Sequence, residues 1–169
     1  SACYALVPAS RRGRVAALSD EILNKVGGYV IGQFLVALFA GTASFIFLEI
    51  AGLGSYALAL GLVVLVLDVI PLVGATIGAA IVSIIGLATL IPLGIACIAF
   101  YVVYQQVENY LIYPRIMRSS VNVPGIVTVI AVLLGGTLLG VVGAILAIPI
   151  AAAALLLLRE VVVRRQQAA

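Results

Sequence analysis

Apolar residues run along this chain in long blocks, and polar positions are confined to short stretches between them. The blocks are Gly28–Ile50, Tyr56–Val69, Val73–Leu90, Leu93–Tyr104 and Val123–Leu158. None alternates with the period of two that a membrane β-strand needs. Gly28–Ile50 is long enough, as a helix, to cross a hydrocarbon core of about 30 Å. Val123–Leu158 is interrupted by Gly135-Gly136, Gly140 and Gly143. It has length for two helices of about 27 Å each, so it reads as a hairpin that crosses twice or re-enters. Ser10–Gly27 is different: Val15, Leu18, Ile22, Val26 and Tyr29 recur at helical spacing opposite Ser19, Asp20, Glu21, Asn24 and Lys25. That pattern predicts a helix lying at an interface, or a stalk, feeding the first span.

The expected fold is therefore all-α: a polytopic transmembrane helical bundle of about four spans plus a C-terminal helical hairpin, with a helix break near Pro71. The segments divide as 1–27 (interfacial amphipathic helix or stalk), 28–112 (transmembrane helices), 113–122 (cytoplasmic polar loop), 123–160 (transmembrane or re-entrant hairpin) and 161–169 (cytoplasmic tail).

Composition fixes the solvent. The chain is 65% hydrophobic and 9% charged, against about 25% charged in soluble domains. It has no histidine, so zinc-hydrolase and Ser-His chemistries lack their usual parts. No phosphate-binding loop is present, so ATP hydrolysis is not expected. Cys3 and Cys97 lie far apart, and Cys97 falls inside an apolar run. Neither a disulfide nor a metal site is expected, and Cys97 reads as packing. No enzyme activity, cofactor or nucleic-acid partner is expected.

Two polar stretches carry the candidate chemistry. Leu67–Gly78, LDVIPLVGATIG, combines Asp68 with Pro71 and the pair Gly74 and Gly78. Proline breaks a helix, G-x-x-x-G lets helix backbones approach in lipid, and an acid at membrane depth costs about 2.5–3.5 kcal/mol and marks function. The plainer reading is a turn whose Asp68 caps the next helix. In the second stretch, Tyr101, Gln105, Glu108 and Asn109 share one helix face at spacings of three and four, and Pro114 is expected to stop that helix. Glu108 is either part of a polar path or a helix-end acid paired with Arg115. Gln105, Asn109 and Gln33 either line the path or bond between helices. Glu49 reads as interfacial, and the glycines as packing and hinge positions.

The basic residues cluster at Arg11–Lys25, Arg115–Arg118 and Arg159–Arg165. Placing all three clusters in the cytoplasm satisfies the positive-inside rule, with four apolar runs between the first two and two limbs between the last two. The parity brings the Asp68–Pro71 break and the Gln105–Arg115 segment to the same side. Asp68 is then expected to face Gln105, Glu108 and Asn109, or Arg115.

Taken in order, Tyr29-x-x-Gly32-Gln33, Asp68-x-Ile70-Pro71-x-x-Gly74-x-x-x-Gly78, Gln105-x-x-Glu108-Asn109, Pro114-Arg115-Ile116, Gly135-Gly136, Gly140-x-x-Gly143 and Leu146-Ala147-Ile148-Pro149 resemble the C-terminal half of the autoinducer-2 exporter family of bacterial transporters. The agreement runs from about Val15 to Glu160. One position departs: Val123-Pro124 stands where the family commonly has a histidine-proline or similar pair. The resemblance implies a multi-pass protein of the inner membrane about twice this length, so an N-terminal half is expected as a partner of this segment. It implies export of a small molecule or ion without ATP hydrolysis. The expected substrate or ion path is Asp68, Gln105, Glu108 and Asn109. The expected break and hinge positions are Pro71, Gly74, Gly78, Pro114, Gly135, Gly136, Gly140 and Gly143. Alternatives are a cation/proton antiporter, or an oligomeric pore in which small-residue faces such as Gly74/Gly78 and Gly136/Gly140 join subunits. A homo-oligomer is expected, with the lipid bilayer and a small-molecule or ion substrate as the other partners.

Overall fold

The computed structural model describes residues 12–71, 73–119 and 125–167, with side chains over 20–71, 73–118 and 126–155. The helices follow in the order α1 (Arg12–Ala51), α2 (Gly54–Asp68), α3 (Gly74–Thr89), α4 (Ile91–Val107), a π turn (Glu108–Ile112), α5 (Tyr113–Ile116), a 3₁₀ turn (Met117–Ser119) and α6 (Gly125–Gln167). No strand occurs among the described residues. Asp20–Ala51, Ile91–Ile116 and Ile126–Leu155 are long and apolar enough to cross a membrane, and α2 and α3 are shorter apolar helices. Outward-facing Ile50, Ile126, Leu138 and Leu139 are well exposed, which costs little where the solvent is acyl chain rather than water. The chain is an all-helical, multi-pass membrane protein.

Small residues set the helix pairs. α1 and α2 approach at Gly41 and Gly61, where a Cβ on Gly61 would lie 3.0 Å from the Gly41 carbonyl oxygen. α3 and α4 approach at Gly86 and Gly94, where a Cβ on Gly86 would lie 3.1 Å from the Gly94 Cα. Leu90 separates them in extended conformation (φ −154°, ψ 133°). Pro92 then falls in the first turn of α4, where its missing N–H would have been unpaired anyway. The core that results joins Leu48, Leu60, Val64, Val82, Cys97 and Tyr101. Phe47 stacks on Phe100 at 4.1 Å, and Tyr101 donates a 2.9 Å hydrogen bond to Ser44, tying α4 to α1. Cys97 is buried packing, as expected; Cys3 lies outside the described residues.

The expected break is present. α2 ends at Asp68 and α3 begins at Gly74, whose N–H bonds the Ile70 carbonyl at 2.9 Å. A Cβ on Gly74 would overlap the Leu67 carbonyl oxygen, and Gly78 rests on Val64. The Gly74/Gly78 pair thus packs α3 onto α2.

The amphipathic segment and the first span form one continuous helix, α1 running unbroken through Gly27 and Gly28. Two sequence expectations need correction. First, Pro114 does not stop its helix. It lies in the first turn of α5, after a π turn in which the Tyr113 N–H bonds the Glu108 carbonyl. Widening the turn relieves the clash between the proline ring and the carbonyl four residues back. Second, of the four hairpin glycines only Gly140 leaves helical geometry (φ 62°, ψ −142°), a region closed to residues with a Cβ. α6 is therefore two limbs folded at Gly140. Gly135, Gly136 and Gly143 remain helical. The close-packing pair is Gly135 with Gly143, whose backbones touch, rather than Gly136 with Gly140. The expected tail is helical as far as Gln167. Residues 120–122 of the expected loop, Val123-Pro124, Arg11 and the side chains of Arg159, Arg164 and Arg165 lie outside the described residues.

Candidate functional site

A cavity of about 480 Å³ opens where α1, the α2–α3 break, the π turn and both limbs of α6 meet. Its wall brings together all four expected path residues, Asp68, Gln105, Glu108 and Asn109. Pro71 also lines it. Gly74, Gly78 and the glycines of α6 do not; they hold the backbones that carry the wall. Arg115 is exposed and is not part of the lining. No ion pair joins it to Glu108 among the described residues, so the reading of Glu108 as a paired helix-end acid is set aside.

Asp68 is positioned by the end of α2. It is the last helical residue, 3% exposed, and its Oδ2 has no hydrogen-bond partner. It is not a cap for α3: the residue ahead of that helix is Val73, and no side chain caps it. Glu108 opens the π turn, is 7% exposed and likewise has an Oε2 without a partner. The two carboxyls are within electrostatic reach of each other, and the buried Tyr104 hydroxyl is within reach of both and beside the Glu108 carboxyl. An unsatisfied charged oxygen away from water costs several kcal/mol. The cavity is where a proton, cation or polar ligand would satisfy both acids.

Of the remaining wall, Gln33 was a candidate from the sequence, whereas Tyr113, Met117, Thr128 and Ile148 were not. Gln33, 4% exposed on α1, donates through Nε2 to the Asp68 backbone carbonyl at 2.8 Å. It thereby fills one of the carbonyls that a helix end leaves open. Tyr29 stands one turn before it and donates toward its Oε1 at 3.5 Å. The Tyr29/Gln33 spacing of four was the signal available in the sequence. Tyr113 reaches the wall because of the π turn: its N–H bonds Glu108, so Tyr113 stacks beneath Glu108 in the place that Ile112 would take in an α-helix. Met117 covers Gly32, and Thr128 and Ile148 close the side toward α6. No lysine or arginine lines the cavity. Groups of three or more metal-binding side chains are absent among the described residues.

The fold and the site together define a multi-pass helical membrane protein with a broken apolar segment, a folded terminal hairpin and a buried acidic cavity. The chain belongs to the AI-2E family transporter family, whose model matches residues 2–162. It is 33% identical over 147 residues to "Putative transport protein YueF" of Bacillus subtilis (strain 168), covering 87% of this chain and 40% of that protein. It is 34% identical over 147 residues to "Putative transport protein YrrI" of the same organism, covering 87% of this chain and 41% of that protein. To "Putative transport protein MT0215" of Mycobacterium tuberculosis (strain CDC 1551 / Oshkosh) it is 33% identical over 146 residues, covering 86% and 40%. The chain thus spans about two-fifths of the length of these relatives. No solved structure matches it.

Proposed function

We propose that this chain is the C-terminal part of a secondary transporter and that the cavity is its substrate or ion path. The observation that carries the reading is the pair of buried acids, Asp68 and Glu108, both lining the cavity and each with an unpartnered oxygen. Each acid costs about 2.5–3.5 kcal/mol in a bilayer interior on an insertion scale. A proton or cation arriving in the cavity offsets that cost, so occupancy and energy are linked. Two discontinuities, at the α2–α3 break and at Gly140, supply the places where the wall can shift between open states. No step needs ATP. The positive-inside arrangement sets both ends of the segment in the cytoplasm of a bacterium whose inner membrane holds the protein. The form of transport proposed is export of a small signalling molecule, coupled to a proton or alkali-cation gradient. Of the two small-residue faces that an oligomeric pore would use, Gly74/Gly78 is spent on packing within the chain, while Gly136 and Gly140 stay open.

The test is a pH-dye flux assay on the complete parent protein in proteoliposomes, wild type against Asp68→Asn, over sodium, potassium and lithium gradients. Cation-dependent proton movement in the wild type and its loss in a correctly inserted Asp68→Asn variant is the expected result. Equal movement in both proteins refutes a role for Asp68 in coupling.

A further inference from the structure

The cavity is larger than a bare metal ion requires, and its chemistry is one-sided. At about 480 Å³ it falls in the range of small organic ligands, about 300–1,000 Å³. Its charged groups are both acids, Asp68 and Glu108. Its other polar groups are amides and hydroxyls: Gln33, Gln105, Asn109, Tyr29, Tyr113, Thr76 and Thr128. The two acids stand on different walls, one on the α2 end and one on the π turn. Tyrosine rings add faces that attract ammonium groups.

We propose that the cavity recognises an organic dication, a small diamine whose two ammonium groups pair with Asp68 and Glu108. The proposal rests on the reading of the cavity as the path. Each ammonium supplies the donors that the free Oδ2 and Oε2 lack, and the carbon chain between them spans the room that an alkali ion leaves empty. The same oxygens hold protons when the cargo is absent. One diamine entering as a dication displaces two protons, so the exchange conserves charge. The titratable groups that face the pair are Tyr29 from α1, Tyr104 from α4 and Tyr113 from α5, with neutral Thr76 from α3 and Thr128 from α6. No basic residue competes for the acids within the wall.

The experiment is a scintillation-proximity binding assay on the detergent-purified complete parent protein with labelled 1,4-diaminobutane. Unlabelled 1,4-diaminobutane, butylamine, butane-1,4-diol and sodium chloride serve as competitors. Saturable binding is expected, with butylamine at least about tenfold weaker and the diol inactive, each lost charged contact costing about ten- to a hundredfold. Acidifying the medium weakens binding. Asp68→Asn and Glu108→Gln each weaken it by a similar factor, whereas Glu49→Gln, exposed on α1 outside the cavity, leaves it unchanged. The wild-type competitor series stands even where a variant fails to fold. A diol that competes as well as the diamine, or affinity indifferent to acid, overturns the proposal. So does absence of diamine binding in a protein that still moves protons with sodium, and that result leaves the carrier reading standing. Absence of both diamine binding and proton movement removes the two together.

Discussion

Replacing Gln33 by methionine removes one donor and little volume, and it isolates what holds the end of α2 in place. The Gln33 Nε2 to Asp68 carbonyl bond is 2.8 Å and buried. The carbonyl belongs to the last residue of α2, beyond the reach of the helix's own N–H groups. Bonds between helices in membranes average about 0.6 kcal/mol with a maximum near 1.7. Leaving a buried carbonyl unsatisfied costs about 1–3 kcal/mol. The expected loss for Gln33→Met is about 1–2 kcal/mol, measured as the shift in an SDS unfolding titration of the purified parent protein. Because the acceptor is backbone, Gln33→Met must cost the same in an Asp68→Asn background. A coupling energy above about 0.5 kcal/mol between the two changes would show that Gln33 pairs with the Asp68 side chain and would refute the account of the helix end. A loss below that same margin in both backgrounds would show that the bond carries no weight.

Other outcomes follow from the same geometry. Gly140→Ala meets no neighbouring atom but must hold a φ of 62°, so it destabilises the hairpin by about 1–3 kcal/mol in the same titration. Gly143→Ala has ordinary helical backbone but would drive a Cβ into the Gly135 carbonyl; it should exceed Gly140→Ala, and a smaller effect would mean that the limbs are not in contact. A double-mutant cycle of Tyr101→Phe and Ser44→Ala should give a coupling of about 0.6 kcal/mol, matching their 2.9 Å bond; zero coupling would remove that link between α1 and α4. Cysteines placed at 68 and at 105 or 109 should join with a short cross-linker across the cavity they share, and failure of every such pair would contradict the site.

The break at Asp68–Gly74 was legible because an acid, a proline and two glycines crowd a short apolar stretch, each disfavouring a continuous helix for a separate reason. The meeting of Asp68 with Gln105, Glu108 and Asn109 was legible from charge parity alone, which counts crossings without needing contacts. What escaped was local geometry. A hairpin in Val123–Leu158 follows from length, but four glycines compete for the turn, and only packing of Gly135 on Gly143 selects Gly140. Pro114 reads as a stop in any scheme of uniform turns, and a π turn has no period by which to recognise it. Tyr113 therefore stayed hidden from the site, since uniform spacing puts Ile112 beneath Glu108. Gln33 was visible as a polar residue in a span but not as the partner of a helix end 35 positions away.

α2 and α3, of 15 and 16 residues, reach only about 22–24 Å along their axes, less than a hydrocarbon core of about 30 Å. Both meet at the break, and where the shortfall falls on that side the surrounding lipid dimples inward, or headgroups and water descend toward Asp68, at a cost of a fraction of a kcal/mol per Å. Acyl-chain length in the host membrane thereby becomes a setting for how wet the two acids are. Short-chain lipids bring the interface toward them, and long-chain, sterol-like thickness draws it away. Two helices each about a turn too short make the thickness of the membrane part of the site.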